Sequence, residues 1–355
     1  MTRSAGIPST GAVRVALLGY GRIAELFHLR ILARLRGVEV GFVAEDDPDR
    51  REAARALLPE ASLVADYRRV VEDATIDAVV ICLPTGLHAE VACAVFRAGK
   101  HVYVEKPIAT TLVDGRLIRE AWRSSGTVGM TGFNQRFEPV IHEFKRAMAA
   151  GRVGTVVGAR ATSGAVARTL PAWKCSRATG GGVLLDLASH AVDLVRFLFE
   201  QEIRSVSATV ASARTEDDTA SLAMTLIDGR IVNAHLTLAG IQESRFEIFG
   251  DQGRLVVDRY AGTLEFEPPR PPYGRMERLR RGVGRLGALP RELGDFVRPP
   301  KDERSYRAAL ETFMGAVRRG RSMAPDIEDG YRSLEVVLAA EESARSGRRI
   351  DLDVS

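Results

Sequence analysis

The chain has 355 residues, of which 45% are hydrophobic and 27% are charged, and its formal net charge is +4. This composition is typical of a globular protein, and the length favours about two domains. Basic and acidic residues are interspersed, so the charge by itself does not indicate nucleic-acid binding. Cys82, Cys93 and Cys175 lack the spacing of a disulfide framework or a zinc site, which favours a reducing, cytoplasmic location.

The N-terminus, "MTRSAGIPSTG", has no apolar segment of signal-peptide length, and no later run reaches the length of a membrane span. We therefore expect residues 1–11 to form a flexible tail. We expect neither a membrane nor a nucleic acid as a partner, and no bound metal.

From Val13 onward, apolar runs typical of β-strands alternate with segments of helical spacing. The strand-like runs lie in "VRVALLG", "VEVGFVAE", "IDAVVICLPT" and "HVYVEKP". Strands separated by helices of this length predict a parallel sheet with right-handed crossovers. The sequence therefore predicts an NAD-binding Rossmann domain over residues 12–130.

The turn "GYGRIA", residues 19–24, has the pattern G-x-G-x-x-A and lies between the first strand and the first helix. Its glycines let the main chain approach a pyrophosphate, and the helix N-terminus favours the negative charge. The alternative is a glycine turn that binds no cofactor. The predicted cofactor contacts of this turn are Gly19, Gly21, Arg22 and Ile23.

Glu45 ends the second strand at the distance where an acid hydrogen-bonds the adenosine ribose. A carboxylate there repels a 2′-phosphate, and Asp46 follows it instead of an arginine. The sequence therefore predicts NAD as the cofactor, with NADP less favoured.

The segments "CLPTGLH" and "VYVEKP" end two further strands at the carboxyl edge of the sheet, where doubly wound folds bind ligands. A lysine in this position, Lys106, is costly unless its ammonium has a partner or a task, although a solvated strand end is the alternative. His88 could instead cap the following helix. Further cofactor contacts are expected from Leu83, Pro84, Thr85, His88, Glu105 and Lys106.

The second half contains strand-like runs separated by turn signals such as "IDGR" and "GDQG". They predict an α+β domain over residues 131–355 with an open, mostly antiparallel sheet. The chain as a whole is thus expected to be an α/β protein, with an N-terminal Rossmann domain and this C-terminal domain.

The helix in "GGGVLLDLASHAVDLVRFLF" carries Asp186, His190 and Asp193 on an otherwise apolar surface. At 100° per residue these side chains fall within one narrow sector. A solvated face would normally carry lysine, glutamate and arginine, so short acids with a histidine favour a site. Asp193 could instead pair with Arg196.

In this order, "GYGRIA", "EKP" and "GGGVLLDLASHAVD" resemble the Gfo/Idh/MocA family, which includes glucose-fructose oxidoreductase and inositol dehydrogenase. The likeness runs from about residue 13 to the C-terminus. It implies that Lys106, Asp186 and His190 are catalytic and that Glu105 and Pro107 shape the nicotinamide side of the pocket.

Other parts of the chain fit the same resemblance. It implies cofactor contacts from Asn134 in "GFNQRF" and from Trp173, and substrate contacts from Arg136 and Lys174. The last helix, about residues 327–346, is expected to return to the nucleotide domain. A homodimer or homotetramer through the C-terminal sheet is also implied.

Oxidation of an alcohol requires one group to take the hydroxyl proton while another stabilises the developing alkoxide. We assign His190 as acid/base, Lys106 as the group that polarises the oxygen and Asp186 as the residue that orients the imidazole. Lys106 could carry the proton instead. The predicted substrate-binding residues are Lys106, Arg136, Lys174, Asp186, His190 and Asp193.

The leading function is an NAD-dependent oxidoreductase acting on a secondary alcohol or ketone of a sugar, cyclitol or nucleotide-linked sugar. The alternatives are a redox-neutral epimerase or lyase that retains NAD, and a non-catalytic dinucleotide-sensing regulator. An arginine-rich insertion at residues 267–300 is predicted to be a surface loop, with a phosphate-binding site or a membrane-surface helix as alternatives.

Overall fold

A computed structural model describes residues 11–166, 170–269 and 304–353 of the chain. Most of the predicted N-terminal tail and of the insertion at residues 267–300 lies outside the described residues. Across these described ranges, no helix is both long and hydrophobic enough to cross a membrane.

The N-terminal sheet has six parallel strands in the order β3-β2-β1-β4-β5-β6. Alternate residues of its central strands enter two hydrophobic clusters, one on each face, which explains why these strands read as continuous apolar runs. The bounds are β1 (Val13–Leu18), β2 (Val38–Ala44), β3 (Ser62–Val64), β4 (Ala78–Ile81), β5 (His101–Val104) and β6 (Gly129–Thr131). The predicted Rossmann fold is confirmed.

Helices connect these strands. They are α1 (Leu29–Leu32), α2 (Pro48–Leu57), α3 (Arg68–Glu72), α4 (His88–Arg97) and α5 (Leu112–Ser125). Asp47 caps the start of α2 by accepting hydrogen bonds from two main-chain N–H groups, and Thr111 does the same for α5 with one.

The C-terminal sheet has eight strands in the order β13-β12-β11-β7-β10-β9-β8-β14. All its pairs are antiparallel except β7 with β10, so the predicted mostly antiparallel sheet is confirmed. Its strands are β7 (Val156–Val166), β8 (Ile203–Ala211), β9 (Thr219–Leu226), β10 (Ile231–Gly240), β11 (Glu243–Gly250), β12 (Gly253–Asp258), β13 (Thr263–Glu267) and β14 (Ile350–Asp351).

Four more helices complete the described fold: α6 (Pro139–Ala149), α7 (Ser189–Phe199), α8 (Arg304–Arg319) and α9 (Ile327–Ser346). Helix α8 joins the hydrophobic cluster on one face of the parallel sheet, and α9 packs against both α5 and β8. Gly115 allows α5 to approach α9, because a Cβ there would lie 2.9 Å from the Leu334 side chain. Gly330 allows α9 to approach Ile108 and Thr131, because a Cβ there would lie 2.5 Å from each side chain. The domain boundaries themselves stay a prediction.

Two helices begin with a π-helical turn that follows a glycine turn. One such turn is Ala24–His28 before α1, and the other is Leu184–Ala188 before α7. We call residues 19–32 the first glycine segment and residues 180–199 the second glycine segment. The wider i→i+5 turn changes which side chains share a face, and this matters for the site.

Candidate active site

The first glycine segment fits a dinucleotide. Gly19 has φ +88°, and a Cβ there would lie 2.7 Å from the carbonyl oxygen of Cys82, so the turn itself requires glycine. A Cβ on Gly21 would meet nothing within 4 Å, which leaves open space beside the N-terminus of the following helix. This open main chain is what a bound pyrophosphate requires.

The Glu45 carboxylate lies next to this turn and is buried. Its oxygens accept hydrogen bonds from the main-chain N–H of Tyr20 at 2.5 Å and of Asp47 at 3.1 Å. Burial and the neighbouring Asp46 raise the pKa of Glu45 above its ordinary value. A carboxylate held at this place can accept a hydrogen bond from a ribose hydroxyl and disfavours a 2′-phosphate.

The segment after β4 approaches the same edge. Leu83 lies beside the glycine turn, since a Cβ on Gly19 would lie 3.0 Å from its main-chain nitrogen, and the Thr85 side chain is buried. His88 is buried as well, with ring nitrogens 2.8 Å from the carbonyl oxygen of Leu83 and 3.0 Å from that of Pro107. Its ring therefore joins the loop after β4 to the loop after β5, and direct contact of His88 with the cofactor stays a prediction.

Lys106, Asp186 and Lys174 form the Lys–Asp–Lys cluster between the two sheets. The Lys106 ammonium donates hydrogen bonds to Oδ1 of Asp186 at 2.6 Å and to its carbonyl oxygen at 2.7 Å. The Lys174 ammonium donates to the other carboxylate oxygen, Oδ2, at 2.9 Å. The side chains of all three residues stay between 13% and 26% exposed, so the cluster can be reached from the cleft.

Electrostatics keep this carboxylate charged. Burial alone would raise the pKa of Asp186, but the ammonium groups of Lys106 and Lys174 outweigh burial and hold that pKa well below its usual value. Asp186 is therefore ionised across the working pH range and remains a fixed anchor for both lysines.

His190 lies near the cluster without bonding to it. Its Nδ1 is buried and has no hydrogen-bond partner among the described residues, and its ring packs edge-to-face with Phe133. Burial, Lys106 and Arg259 lower the pKa of His190 well below its ordinary value, so the imidazole is neutral at neutral pH. The two lysines hold both carboxylate oxygens, and no hydrogen bond joins Asp186 to the imidazole among the described residues, so the orienting role of Asp186 stays a prediction.

The second glycine segment explains this separation. The expectation of one narrow sector assumed an ideal α-helix from Asp186 to Asp193, but the π-helical turn includes Asp186 and ends at Ala188. Asp186 consequently meets the lysines, His190 lines a neighbouring cavity with Arg259, and Asp193 reaches a third environment.

That third environment is a buried ion pair. Arg136 donates hydrogen bonds to both oxygens of Asp193, at 2.8 and 2.6 Å, and Asp193 is 1% exposed. Arg136 also contacts Asp329, and Arg196 pairs with Glu202. This ion pair does not support the expected substrate contact from Asp193 and Arg136, since each charge is already neutralised inside the protein, and that contact stays a prediction.

Of the remaining predicted residues, some line the cleft and others lie in buried contacts away from it. Trp173 is half-buried and lines the cleft with Thr85, Lys106, Pro107, Lys174 and Asp186, around about 320 Å³ that no protein atom fills. Asn134 is buried, and its side-chain nitrogen donates to Ser305 Oγ at 2.9 Å. The structure thus directs the Asn134 amide to α8, and the expected cofactor contact stays a prediction. Arg22 is exposed and Ile23 half-buried at the glycine turn.

Comparison with known proteins assigns the chain to a family. Residues 13–133 match the NAD-binding Rossmann-fold domain of the GFO/IDH/MocA oxidoreductases, residues 141–256 match a GFO/IDH/MocA C-terminal domain, and residues 290–352 match the family's C-terminal alpha/beta domain. The chain belongs to the GFO/IDH/MocA oxidoreductase family. The predicted resemblance and NAD-binding domain are confirmed, and the protein is an NAD(P)-dependent oxidoreductase.

Relatives in this family span nearly the whole chain. A myo-inositol 2-dehydrogenase of Thermotoga maritima is 28% identical over 96% of this chain and 99% of its own. An inositol 2-dehydrogenase of Rhizobium meliloti is also 28% identical, over 96% and 99%. The crystal structure of GenD2 from gentamicin A biosynthesis, in complex with NAD, superposes with a TM-score of 0.82 at 25% identity and covers 99% of both chains.

Sequence reasoning missed two residues next to this candidate site. His28 lies 2.7 Å from Glu105, and Arg259 lies close enough to His190 to lower its pKa. His28 was masked by the apolar helical pattern around it, although a histidine just after a dinucleotide turn is a usable signal. Arg259 follows β12, far from any motif, and only the sheet topology brings it to α7.

Proposed function

We propose that this protein is an NAD-dependent dehydrogenase that moves a hydride between nicotinamide and a secondary alcohol or ketone of a sugar or cyclitol. The observation that carries this proposal is Lys106, which follows β5 at the cofactor edge and whose ammonium lies 2.6 Å from the Asp186 carboxylate across the cleft. The names of the inositol dehydrogenase relatives support the substrate class. They also favour catalysis over a non-catalytic sensor.

The residues have separable roles in this proposal. NAD, when bound, supplies the hydride acceptor. Lys106 donates a hydrogen bond to the reacting oxygen and stabilises negative charge that develops there, while Asp186 holds the ammonium in place. His190 accepts the hydroxyl proton, because the low pKa of its imidazole leaves it unprotonated. A proton carried by Lys106 remains the competing assignment.

Lys174 and Trp173 extend this site towards the substrate. Lys174 holds the second oxygen of Asp186, and its ammonium lies 5.3 Å from the centre of the Trp173 ring. An ammonium at this position can donate to a hydroxyl next to the reacting carbon. We therefore retain Lys174 as a substrate contact and Trp173 as a wall of the cleft beside the nicotinamide.

We further propose that NAD is preferred over NADP, because the buried Glu45 carboxylate would repel a 2′-phosphate. NADH and NADPH titrations followed by fluorescence measure this preference. Glu45→Gln keeps the shape of the side chain and removes its charge, so the preference is expected to narrow. Equal affinity of the unaltered protein for both cofactors contradicts the proposal.

We also propose a homodimer or homotetramer through the sheet face that the helices leave uncovered. On β7 and β10, Val157 is 63% exposed and Ile231 is 52% exposed. Sedimentation velocity measures the assembly, and a monomer at micromolar concentration contradicts this part of the proposal.

The deciding experiment is direct. The protein is incubated with NAD and a panel of cyclitols, sugars and nucleotide-linked sugars while the absorbance of the reduced nicotinamide is recorded. Accumulation of NADH with one class of substrate is expected, and it excludes the redox-neutral alternative. A protein that binds neither NAD nor NADH, or that turns over no member of the panel in either direction, contradicts the proposal.

A further inference from the structure

We propose that His28 is a positioning residue for hydride transfer: it holds the Glu105 carboxylate, which in turn anchors the main chain of Lys106. This inference rests on the proposed function of Lys106. It adds the buried His28 side chain, which lies behind Glu105, to the residues that shape the site.

The first observation is the environment of His28. Its side chain is fully buried, and its Nε2 lies 2.7 Å from Oε1 of Glu105. Because a carboxylate oxygen can only accept, Nε2 carries the hydrogen and donates it. Nδ1 has no hydrogen-bond partner among the described residues. The one hydrogen bond found for this buried ring is therefore given to a residue at the edge of the cleft.

The second observation is how the fold holds the ring. His28 is the last residue of the first π-helical turn, which directs it inward from the glycine turn. Tyr103 and Tyr306 pack edge-to-face against the imidazole, with ring centroids 5.6 and 5.3 Å away. These aromatic contacts fix the plane of the ring and hence the direction of its N–H group.

The third observation concerns Glu105. Its Oε2 accepts a hydrogen bond from the main-chain N–H of Lys106 at 3.2 Å. Gly132 lies directly against the carboxylate, since a Cβ there would lie 2.9 Å from it. The carboxylate is therefore confined between Gly132, His28 and the Lys106 main chain, and it cannot rotate away.

Glu105 and Lys106, which are adjacent in the chain, are thus held from different domains. His28 holds Glu105 from the nucleotide domain, and Asp186 holds the Lys106 ammonium from across the cleft. A misplacement of about 1 Å in a catalytic group can cost a factor of about 10² in rate. Loss of the His28 hydrogen bond should therefore lower the rate of the chemical step and leave binding largely intact.

A matched pair of variants tests this. His28→Gln keeps an N–H donor near the position of Nε2, whereas His28→Met has similar length and no donor. We expect H28M to lower kcat by about 10- to 100-fold, with substrate KM and NADH affinity within about threefold of the unaltered protein. We expect H28Q to retain kcat within about threefold. Equal kcat in H28M and the unaltered protein overturns the proposal, as does an equal loss in both variants.

A second measurement does not depend on turnover. Amide hydrogen exchange over residues 104–110 is expected to be faster in H28M than in H28Q, because only H28M releases the Glu105 carboxylate. Unchanged exchange in H28M overturns the proposal. If the unaltered protein turns over no substrate, the proposed function fails while this comparison still decides whether His28 anchors the segment.

If H28M does not fold, Glu105→Gln tests the same link from the other side. E105Q keeps the shape of the side chain and removes the charge that His28 and the Lys106 N–H contact. We expect a loss in kcat of about 10- to 100-fold, together with faster amide hydrogen exchange over residues 104–110 than in the unaltered protein. Full activity of a folded E105Q overturns the proposal.

Discussion

The two glycine segments share a local design. Each places a glycine at positive φ, +88° for Gly19 and +99° for Gly180, before a π-helical turn and an α-helix. Each also holds one of two adjacent residues, since His28 in the first segment contacts Glu105 and Asp186 in the second contacts Lys106. The site is thus built by two similar turns that meet from opposite domains.

The glycines themselves serve different purposes in the two segments. A Cβ on Gly21 would meet nothing within 4 Å, whereas a Cβ on Gly181 would overlap the carbonyl oxygen of Lys174. Glycine in the first segment leaves room for a ligand. Glycine in the second segment lets the loop that carries Lys174 approach, and this places its ammonium on Asp186.

The largest expected effect tests Lys106, which the second glycine segment holds through Asp186. Lys106→Met should lower kcat by about 10³-fold, since it removes the donor to the reacting oxygen, while NADH affinity stays within about threefold. Lys174→Met is the matched control, because it removes the other ammonium from Asp186, and a loss of about 10-fold is expected. Steady-state kinetics measure both. A larger loss in K174M than in K106M contradicts the assignment.

The next prediction tests whether Asp193 contributes to stability or to substrate binding. Asp193→Asn leaves Arg136 partly unpaired inside the protein, so the free energy of unfolding should fall by about 3 kcal/mol. Denaturant unfolding measures this loss. Substrate KM and kcat should change by less than about twofold at a temperature where the variant is folded. A higher substrate KM with an unchanged free energy of unfolding would indicate that Asp193 contacts the substrate.

A pair of alanine substitutions tests the comparison of the glycines directly. Gly181→Ala should lower the free energy of unfolding by about 2 kcal/mol, because a methyl group must displace main chain. Gly21→Ala should leave that free energy within about 0.5 kcal/mol and instead weaken NADH binding at least about 10-fold. Chemical unfolding and fluorescence titration give the two values. The reverse pattern would show that the first segment is not a ligand site.

The smallest effect is on pH dependence. His190 must be unprotonated to accept a proton, and its pKa lies well below the ordinary 6.5, so activity is lost only as pH falls through that lower value. The acid limb of kcat/KM for alcohol oxidation is therefore expected well below pH 6.5. K174M removes one of the cations that lower this pKa and should move the limb upward. An acid limb at or above pH 6.5 argues for another base.

Much of this arrangement could be predicted from residue patterns. Lys106 and Asp186 were expected to meet because one ends a strand at the carboxyl edge and the other interrupts an apolar helix. His88 and Asn134 were expected to contact the cofactor, and the structure shows them in buried hydrogen bonds to other segments, since their types and positions suit both roles. Patterns along the chain do not distinguish these cases, since the partners are main-chain carbonyls or distant side chains.

The sequence alone determined the succession of strands and helices along the chain, the glycine turns and the acid that follows β2. These features depend on apolar periodicity and on glycine, which set local backbone structure over a few residues. Only the tertiary structure decided that Asp186, His190 and Asp193 enter three environments, through a π-helical turn that periodicity does not reveal. It also decided that His28 supports Glu105 over 77 residues of sequence, because such a contact depends on how the strands and helices pack.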